Sequence, residues 1–173
     1  MRVNTEIERK YVIKKPDMEK LSAQGEYTVS EITQIYLSSE PKTTHRIRLR
    51  EYEDRREYTE TKKVRIDKMS SYEDEREITE SEYRELEKQI ASTTRPLKKT
   101  RHTLTLDGIT YEIDVYPEWH STCILEIELD SREQNPKIPD FIKIVKEVTG
   151  DKRYSNASMS RCFPEELLVI PLS

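Results

Sequence analysis

The sequence predicts an α+β fold in which eight antiparallel β-strands carry α-helices on their outer side. Eight segments alternate apolar and charged residues with the period of two that is typical of a β-strand. Short turn signals such as Asp107-Gly108, which favours a type I′ hairpin, link neighbouring segments. Ten tyrosines among 173 residues also favour strands over a helical bundle. The length suits one compact domain, so we expect a single domain over residues 1–173.

The first predicted strand contains the segment Glu6-Ile7-Glu8-Arg9-Lys10 and has two different faces. Glu6, Glu8 and Lys10 share one face, and Ile7 and Tyr11 share the other. Most of the later strands repeat this division between a charged face and an apolar face. The eight strands are expected at about residues 3–13, 30–38, 43–54, 57–66, 71–78, 98–106, 109–116 and 122–130.

Helices are predicted in the segments between or after these strands. One begins at Thr79-Glu80-Ser81-Glu82 and ends near Ser92, with Thr79 or Ser81 as its N-cap. A second is expected from about Asp140 to Val148, where Gly150 is placed to end it. A third, short helix is expected within residues 16–24. We expect the apolar faces of these helices to cover the outside of the sheet.

Composition excludes several classes of function. Lys and Arg total 30 against 34 Asp and Glu, so the net charge of -4 does not indicate an extended nucleic-acid surface. Three glycines leave no Gly-rich phosphate loop, and Cys123 and Cys162 lack zinc-ligand or CxxC spacing. We expect free, buried thiols in a cytoplasmic protein without a membrane span, because no apolar stretch approaches about 20 residues. The oligomeric state stays open, a homodimer included.

The basic residues are concentrated on single faces of the strands. Arg46, Arg48 and Arg50 share one face, where three guanidiniums repel one another unless an anion lies among them. Arginine suits phosphate because its planar fork donates two charge-assisted hydrogen bonds at once. Lys62 on the next strand, and Lys99 with Arg101 further along, extend this pattern.

Acidic residues are sorted in the same way, on Glu73-x-Glu75-x-Glu77, Glu112-x-Asp114 and Glu126-x-Glu128. If all the charged faces turn inward, a bound polyphosphate would make the site strongly negative, and Mg²⁺ or Mn²⁺ would balance it through carboxylate oxygens. The alternative is a set of salt-bridge ladders on a solvent-facing sheet. Three alternating arginines and three alternating glutamates are poor ladders, so we favour the lined cavity.

An ordered set of motifs resembles the CYTH proteins, the triphosphate tunnel metalloenzymes, over nearly the whole chain. The set begins with the ExExK pattern at residues 6–10 and continues through Tyr36-Leu37, Thr61-Lys62, Glu73/Glu75/Glu77, Lys99-Thr100-Arg101, Tyr111–Asp114, Glu126–Leu129 and Val148–Tyr154. The resemblance implies an antiparallel eight-stranded β-barrel, or tunnel, that binds a triphosphate and a divalent metal, Mg²⁺ or Mn²⁺.

The resemblance also implies a role for individual residues. Glu6, Glu8 and Glu128 resemble the metal ligands, with Glu126 and Asp114 as further carboxylates. Glu73 and Glu75 resemble acids that position the attacking water, and Lys62 acts beside them. The implied triphosphate contacts are Lys10, Arg46, Arg48, Lys62, Lys99, Arg101 and Arg153.

The function that follows is metal-dependent hydrolysis of the terminal phosphate of inorganic triphosphate or of a nucleoside triphosphate. Three alternatives stay open at this point. A class IV adenylate cyclase would use the ribose 3′-hydroxyl of ATP in place of water, and a thiamine triphosphatase would differ only at the organic end of its substrate. A non-catalytic polyphosphate or nucleotide-binding module would bind the same anion without turnover.

Overall fold

The computed structural model describes residues 2–167 as a closed, antiparallel, eight-stranded barrel with few helices. The strands are β1 (Arg2–Lys14), β2 (Glu26–Leu37), β3 (Thr43–Glu51), β4 (Arg56–Arg65), β5 (Ser70–Glu77), β6 (Leu97–Leu106), β7 (Ile109–Val115) and β8 (Thr122–Glu128), with a short additional strand β9 (Ile144–Glu147). The helices are α1 (Met18–Ser22), α2 (Glu80–Glu87) and α3 (Asn156–Met159), and a 3₁₀ turn covers Lys152–Tyr154.

Strand β1 closes the barrel because it is long enough to pair with two neighbours in turn. Its first part, Arg2–Ile7, pairs with β5, and its second part, Glu8–Lys14, pairs with β8. Such a stagger is what closing a tilted sheet into a barrel requires. The strand order around the barrel is therefore β1, β5, β4, β3, β2, β6, β7, β8 and back to β1.

The outer face of the sheet carries the main apolar core. Tyr11, Ile13, Ile113, Leu125 and Ile127 belong to one buried cluster that also contains Leu21 of α1. A second outer cluster joins Ile47 and Leu49 of β3 to Tyr83 of α2. The charged residues of the alternating strands are thereby turned towards the interior.

The inner face changes from charged to apolar near one end of the barrel. Val12 lies two residues beyond Lys10 on the same face of β1, and Ile124 lies two residues before Glu126 on β8. Both belong to a buried cluster with Leu97, Tyr116, Trp119, Val148, Tyr154 and Met159. The apolar end cluster, as we call these eight residues, therefore packs the 3₁₀ turn and α3 against this end of the barrel.

The eight predicted strands are all present, and the fold class is confirmed. The turn at Asp107 and Gly108 has φ values of 52° and 77°, which confirms the type I′ hairpin. Helix α2 starts after Thr79, whose side chain accepts from the Glu82 backbone N–H in a capping box, although the helix ends at Glu87 and not near Ser92. Strand β2 begins four residues earlier than expected, at Glu26.

The helix predicted from Asp140 to Val148 is wrong, because Ile144–Glu147 form strand β9. Strand β1 extends beyond the end of β5, which leaves the backbone of Tyr11–Ile13 without a partner on that side. An unpaired backbone in a buried position costs free energy, and β9 satisfies it by antiparallel pairing. Gly150, with φ of 75°, ends no helix but packs closely against Lys68.

Both cysteines are free thiols, as predicted. Cys123 lies in the outer apolar core and is fully buried, and this burial raises the pKa of its thiol to about 12. Cys162 is exposed, so the expectation that both thiols are buried is wrong for this residue. No helix within the described residues 2–167 has the length and apolar character needed to cross a membrane.

Candidate active site

A cavity of about 930 Å³ occupies the interior of the barrel. All eight barrel strands contribute side chains to its lining, from Glu6 on β1 to Glu126 on β8. The volume lies at the upper end of what small-molecule sites usually offer. Because its walls carry mostly charged side chains, the cavity suits a polar, highly charged ligand.

Two arginines of β3 form the most unusual wall of this cavity. The Arg48 Nη2 donates to Gln34 Oε1 at 3.0 Å, and the Arg46 Nη2 donates to Glu73 Oε1 at 3.4 Å. The Nε of each arginine is buried and has no hydrogen-bond partner among the described residues. Burial, together with the charges of Arg46 and Arg101, lowers the pKa of Arg48 to about 9. Arg46 is paired with Glu73, but Arg48 has no carboxylate partner among the described residues, so an anion is the group that fits here.

A second group of cations is balanced internally, around Asp114. The Arg101 Nε lies 2.7 Å from Asp114 Oδ1, and the Lys99 Nζ lies 2.8 Å from Asp114 Oδ2. Burial by itself would raise the pKa of Asp114, but the charges of Arg101 and Lys99 hold it far below its usual range. Burial also lowers the pKa of Lys99, which donates to Asn156 as well. This buried triad of Lys99, Arg101 and Asp114 fixes Arg101 rigidly at the cavity wall.

The carboxylates form an acidic wall along β1, β5, β7 and β8. Burial and the neighbouring Glu73 raise the pKa of Glu6 to about 8. Burial and the charge of Glu126 raise the pKa of Glu8, and burial with the charge of Glu112 raises that of Glu128. Glu8 and Glu128 lie directly opposite each other in the β1–β8 pair. These acids repel one another.

The donor chemistry of this acidic wall fits a divalent cation. Carboxylate oxygens are the ligands that Mg²⁺ and Mn²⁺ prefer, and a cation among Glu6, Glu8 and Glu128 would remove the repulsion that raises their pKa values. Among the described residues, no group of three acidic, cysteine or histidine side chains already stands in a metal-binding arrangement.

The remaining acids lie within reach of the arginine pair. Glu73 accepts from Arg46 and is hydrogen-bonded to Glu6, and Glu75 accepts from the Thr61 hydroxyl at 3.1 Å. Burial would raise the pKa of Glu73, but its hydrogen bond with Glu6 and the nearby cations Arg46 and Lys63 hold it below the usual value. The two carboxyl groups are thus shifted in opposite directions, the pKa of Glu6 upwards and the pKa of Glu73 downwards.

The structure brings together most of the residues that the sequence singled out. Lys10, Arg46, Arg48 and Arg101 line the cavity as cations. Glu6, Glu8, Glu73, Glu75 and Glu126 line it as acids, and Glu128 lies beside them on β8. The Lys10 Nζ lies 3.2 Å from Glu126 Oε1 and donates to the Tyr154 carbonyl.

Four predicted site residues have a different position. Lys62 is exposed on the outer face of β4, and its neighbour Lys63 lines the cavity, with its Nζ 3.6 Å from Glu6 Oε2. The Arg153 side chain is 67% exposed and pairs with Asp151, whereas Lys152 lines the cavity. Asp114 and Lys99 are buried behind the wall and face each other.

The position of Lys63 could have been found from the register of the sheet. Arg46 pairs with Thr61, and partners in register point to the same face, so odd-numbered residues of β4 point inwards. Tyr58, which packs on the outer core beside α2, marks even-numbered positions as outward. The same register places Arg65 on the inner face, whereas the cavity-lining cations Lys42, Lys152 and Arg161 had no such signal, because they lie outside the strands.

Comparison with known proteins connects this geometry to a family. No family model matches the chain, and no curated protein does. Two crystal structures of NE1496, described as a hypothetical protein in one and as an inorganic triphosphatase in the other, are 28% identical to it with a TM-score of 0.56. The match covers 92% of this chain and 99% and 96% of those two chains.

Two more distant structures share the fold. The PH1819 protein from Pyrococcus horikoshii OT3 is 23% identical, with 73% of this chain and 80% of that chain covered and a TM-score of 0.57. A putative adenylate cyclase from Bacillus halodurans is 17% identical, with 81% and 97% covered and a TM-score of 0.52. The barrel and its structural neighbours are consistent with the CYTH family, as the sequence motifs predict.

Proposed function

We propose that this protein is a divalent-metal-dependent triphosphatase that removes the terminal phosphate of inorganic triphosphate or of a nucleoside triphosphate. The observation that carries the proposal is the Arg46–Arg48 pair inside a closed barrel, whose buried Nε atoms have no hydrogen-bond partner within residues 2–167. A triphosphate supplies several charged oxygens to such donors, and the acidic wall across the cavity offers carboxylates for a metal.

Glu6, Glu8 and Glu128 would hold the metal, with Glu126 close by. Asp114 has no part in this set, because its oxygens are taken by Lys99 and Arg101. When bound, the metal would stabilise negative charge that develops on the phosphate oxygens.

The residues of the chain bind and orient the phosphates. Arg46, Arg48, Lys63 and Arg101 hold the chain of phosphates in line with the acids, and positioning of this kind supplies most of the rate in phosphoryl transfer. Glu73 lies beside Arg46 and has a pKa below its ordinary value, so its carboxylate would orient the attacking water and accept its proton. The water oxygen bonds to the terminal phosphorus as the bridging P–O bond breaks, which releases orthophosphate together with diphosphate or, from a nucleoside triphosphate, a nucleoside diphosphate.

Turnover of several triphosphates by the purified protein tests the proposal. Tripolyphosphate, ATP and thiamine triphosphate are each incubated with Mg²⁺ or Mn²⁺, and orthophosphate, diphosphate and cyclic AMP are separated. Orthophosphate release supports the proposal, and cyclic AMP with diphosphate would indicate a cyclase. Tight binding of tripolyphosphate without turnover would indicate a binding module.

A further inference from the structure

Gln34 is an uncharged side chain behind the charged wall of the cavity. It lies on the inner face of β2, directly opposite Arg48 in the β2–β3 pair, and it is fully buried. Its amide oxygen accepts from the Arg48 Nη2 at 3.0 Å, and its amide nitrogen donates to the Tyr36 hydroxyl at 2.9 Å. Arg48 and Tyr36 both line the cavity, whereas Gln34 does not. Gln34 therefore acts on a ligand only through these two neighbours.

The direction of this chain of hydrogen bonds is fixed by Arg48. A guanidinium has N–H donors and no acceptor, so the group that faces it must be the amide oxygen of Gln34. The NH₂ group of the same amide is then left facing Tyr36, and an NH₂ group of this kind only donates. The Tyr36 oxygen therefore accepts from Gln34, and the Tyr36 proton must point to another acceptor.

The described part of the chain offers no acceptor for the Tyr36 proton. Within residues 2–167 the Tyr36 hydroxyl makes one hydrogen bond, which it accepts from Gln34. Arg46 pairs with Tyr36 in the β2–β3 register and lies close to the same hydroxyl, but its guanidinium is a donor as well. The Tyr36 O–H is thus left for an anion that binds at Arg46 and Arg48.

We infer that Gln34 is a positioning residue, which holds the Tyr36 hydroxyl as a hydrogen-bond donor to the bound triphosphate. This inference rests on the proposed function, and it adds a neutral donor to the two guanidiniums. A hydrogen bond to a charged oxygen is stronger than one between neutral groups, so the direction of the hydroxyl affects affinity. A glutamate at position 34 would pair with Arg48 and could only accept from Tyr36. The Tyr36 proton would then point away from the ligand.

Gln34→Glu provides the test, because it keeps the size of the side chain and reverses its role towards Tyr36. It is combined with Tyr36→Phe, which removes only the hydroxyl, in a double-mutant cycle on the full chain. The Kd for tripolyphosphate is measured by calorimetry with EDTA, so the measurement does not depend on turnover. Urea unfolding measures the stability of each variant, and hydrolysis with Mg²⁺ is assayed separately. Gln89→Glu, at an exposed position after α2, is the matched control.

We expect Tyr36→Phe to raise the Kd about tenfold in the wild type but less than about twofold in the Gln34→Glu background. In the Gln89→Glu background it should still raise the Kd about tenfold. Gln34→Glu alone should raise the Kd at least about tenfold without lowering the free energy of unfolding, because the new carboxylate balances the charge of Arg48. If Gln34 has a role in packing alone, Gln34→Glu lowers stability and leaves the effect of Tyr36→Phe unchanged.

An equal effect of Tyr36→Phe in the wild type and in Gln34→Glu would overturn the inference and leave the proposed triphosphatase intact. If Gln34→Glu does not fold, Gln34→Met takes its place in the cycle. It removes both hydrogen bonds without adding a charge, so Tyr36→Phe should raise the Kd less than about threefold, and a tenfold rise there would also overturn the inference. Binding with the expected coupling but without hydrolysis would support the role of Gln34 and overturn the proposed function. A wild type that binds no tripolyphosphate would overturn both.

Discussion

Replacement of Arg48 by methionine should raise the stability of the protein and weaken its binding of triphosphate. Within the described part of the chain, the Arg48 guanidinium has one hydrogen bond, to Gln34, and lies near the like charges of Arg46 and Arg101. Methionine keeps most of the apolar stem and removes the charge. The two effects have opposite signs because the charge that costs stability is the charge that we propose binds the triphosphate.

The magnitude follows from the environment of Arg48. A pKa lowered to about 9 corresponds to about 5 kcal/mol against the charged form. Solvent in the cavity screens part of this cost, and Gln34 loses its hydrogen-bond partner at a cost of about 1 kcal/mol. We therefore expect the free energy of unfolding to rise by about 1–2 kcal/mol. For a chain of this size that raises the Tm by roughly 3–6 °C. Loss of charge-assisted hydrogen bonds should weaken tripolyphosphate binding by about 1.5–3 kcal/mol, or roughly 10- to 100-fold.

The matched control is Arg101→Met, which removes a guanidinium that is fully paired. Arg101 donates to Asp114 at 2.7 and 2.9 Å and to Glu112 at 2.7 Å. Its removal leaves buried negative charge without a partner, so we expect a loss of about 3–5 kcal/mol. Urea unfolding of both variants without ligand and calorimetry with tripolyphosphate measure the two quantities. If Arg48→Met destabilises the protein as Arg101→Met does, the Arg48 charge is balanced within the protein and our reasoning is refuted.

Three further changes test other parts of the structure. Glu8→Gln should reduce Mn²⁺ affinity and metal-dependent turnover at least about tenfold. Unchanged Mn²⁺ affinity in calorimetry would show that Glu8 is not a metal ligand. Lys63→Met should raise the KM for tripolyphosphate about tenfold while Lys62→Met changes it less than about twofold, and the reverse order would contradict the register of β4. Burial raises the pKa of Glu166, but hydrogen bonds from residues 120–122 outweigh this and lower the pKa to about 2. The Glu166 carboxylate therefore stabilises the fold above its ordinary pKa, and this stabilisation is lost as the pH falls towards 2. Glu166→Gln should therefore lower the free energy of unfolding by about 1 kcal/mol at pH 7 but not near pH 2. Urea unfolding at both pH values measures this, and the same difference between variant and wild type at both would show that the carboxylate has no such role.

The sequence predicts the barrel well because the alternation of charged and apolar residues carries the information. In β8, Leu125 and Ile127 can only face the outer core once Glu126 faces the interior. The same rule placed Arg46 and Arg48 correctly. It failed for Lys62 because Lys62 and Lys63 are both lysine, so alternation alone does not show which one points inwards, and only pairing with β3 decides it.

Partners that are distant in sequence could not be predicted from a local pattern. Ile144–Glu147 have the composition of a helix face as well as of a strand, and the free edge of β1 decides between the two. The position of Asp114 is a similar case. Its alternation with Glu112 places it on the inner face, but its role as a counter-ion depends on Lys99 and Arg101 of the neighbouring strand. A metal ligand and a buried counter-ion have the same sequence pattern.

The contacts that stabilise the barrel lie apart from the proposed ligand site, so charges at that site can stay without a full set of partners. Repelling groups such as Arg48 and Glu8 cost free energy where the ligand and metal would bind. A short distance along the barrel, the interior is filled by the apolar end cluster, in which Tyr116 and Trp119 pack edge to face. The Lys99–Asp114 pair lies between these two regions and contacts both Arg101 and Asn156 of α3. The Lys99–Asp114 charges beside the end cluster are thus paired, whereas the Nε atoms of Arg46 and Arg48 at the cavity have no partner among the described residues.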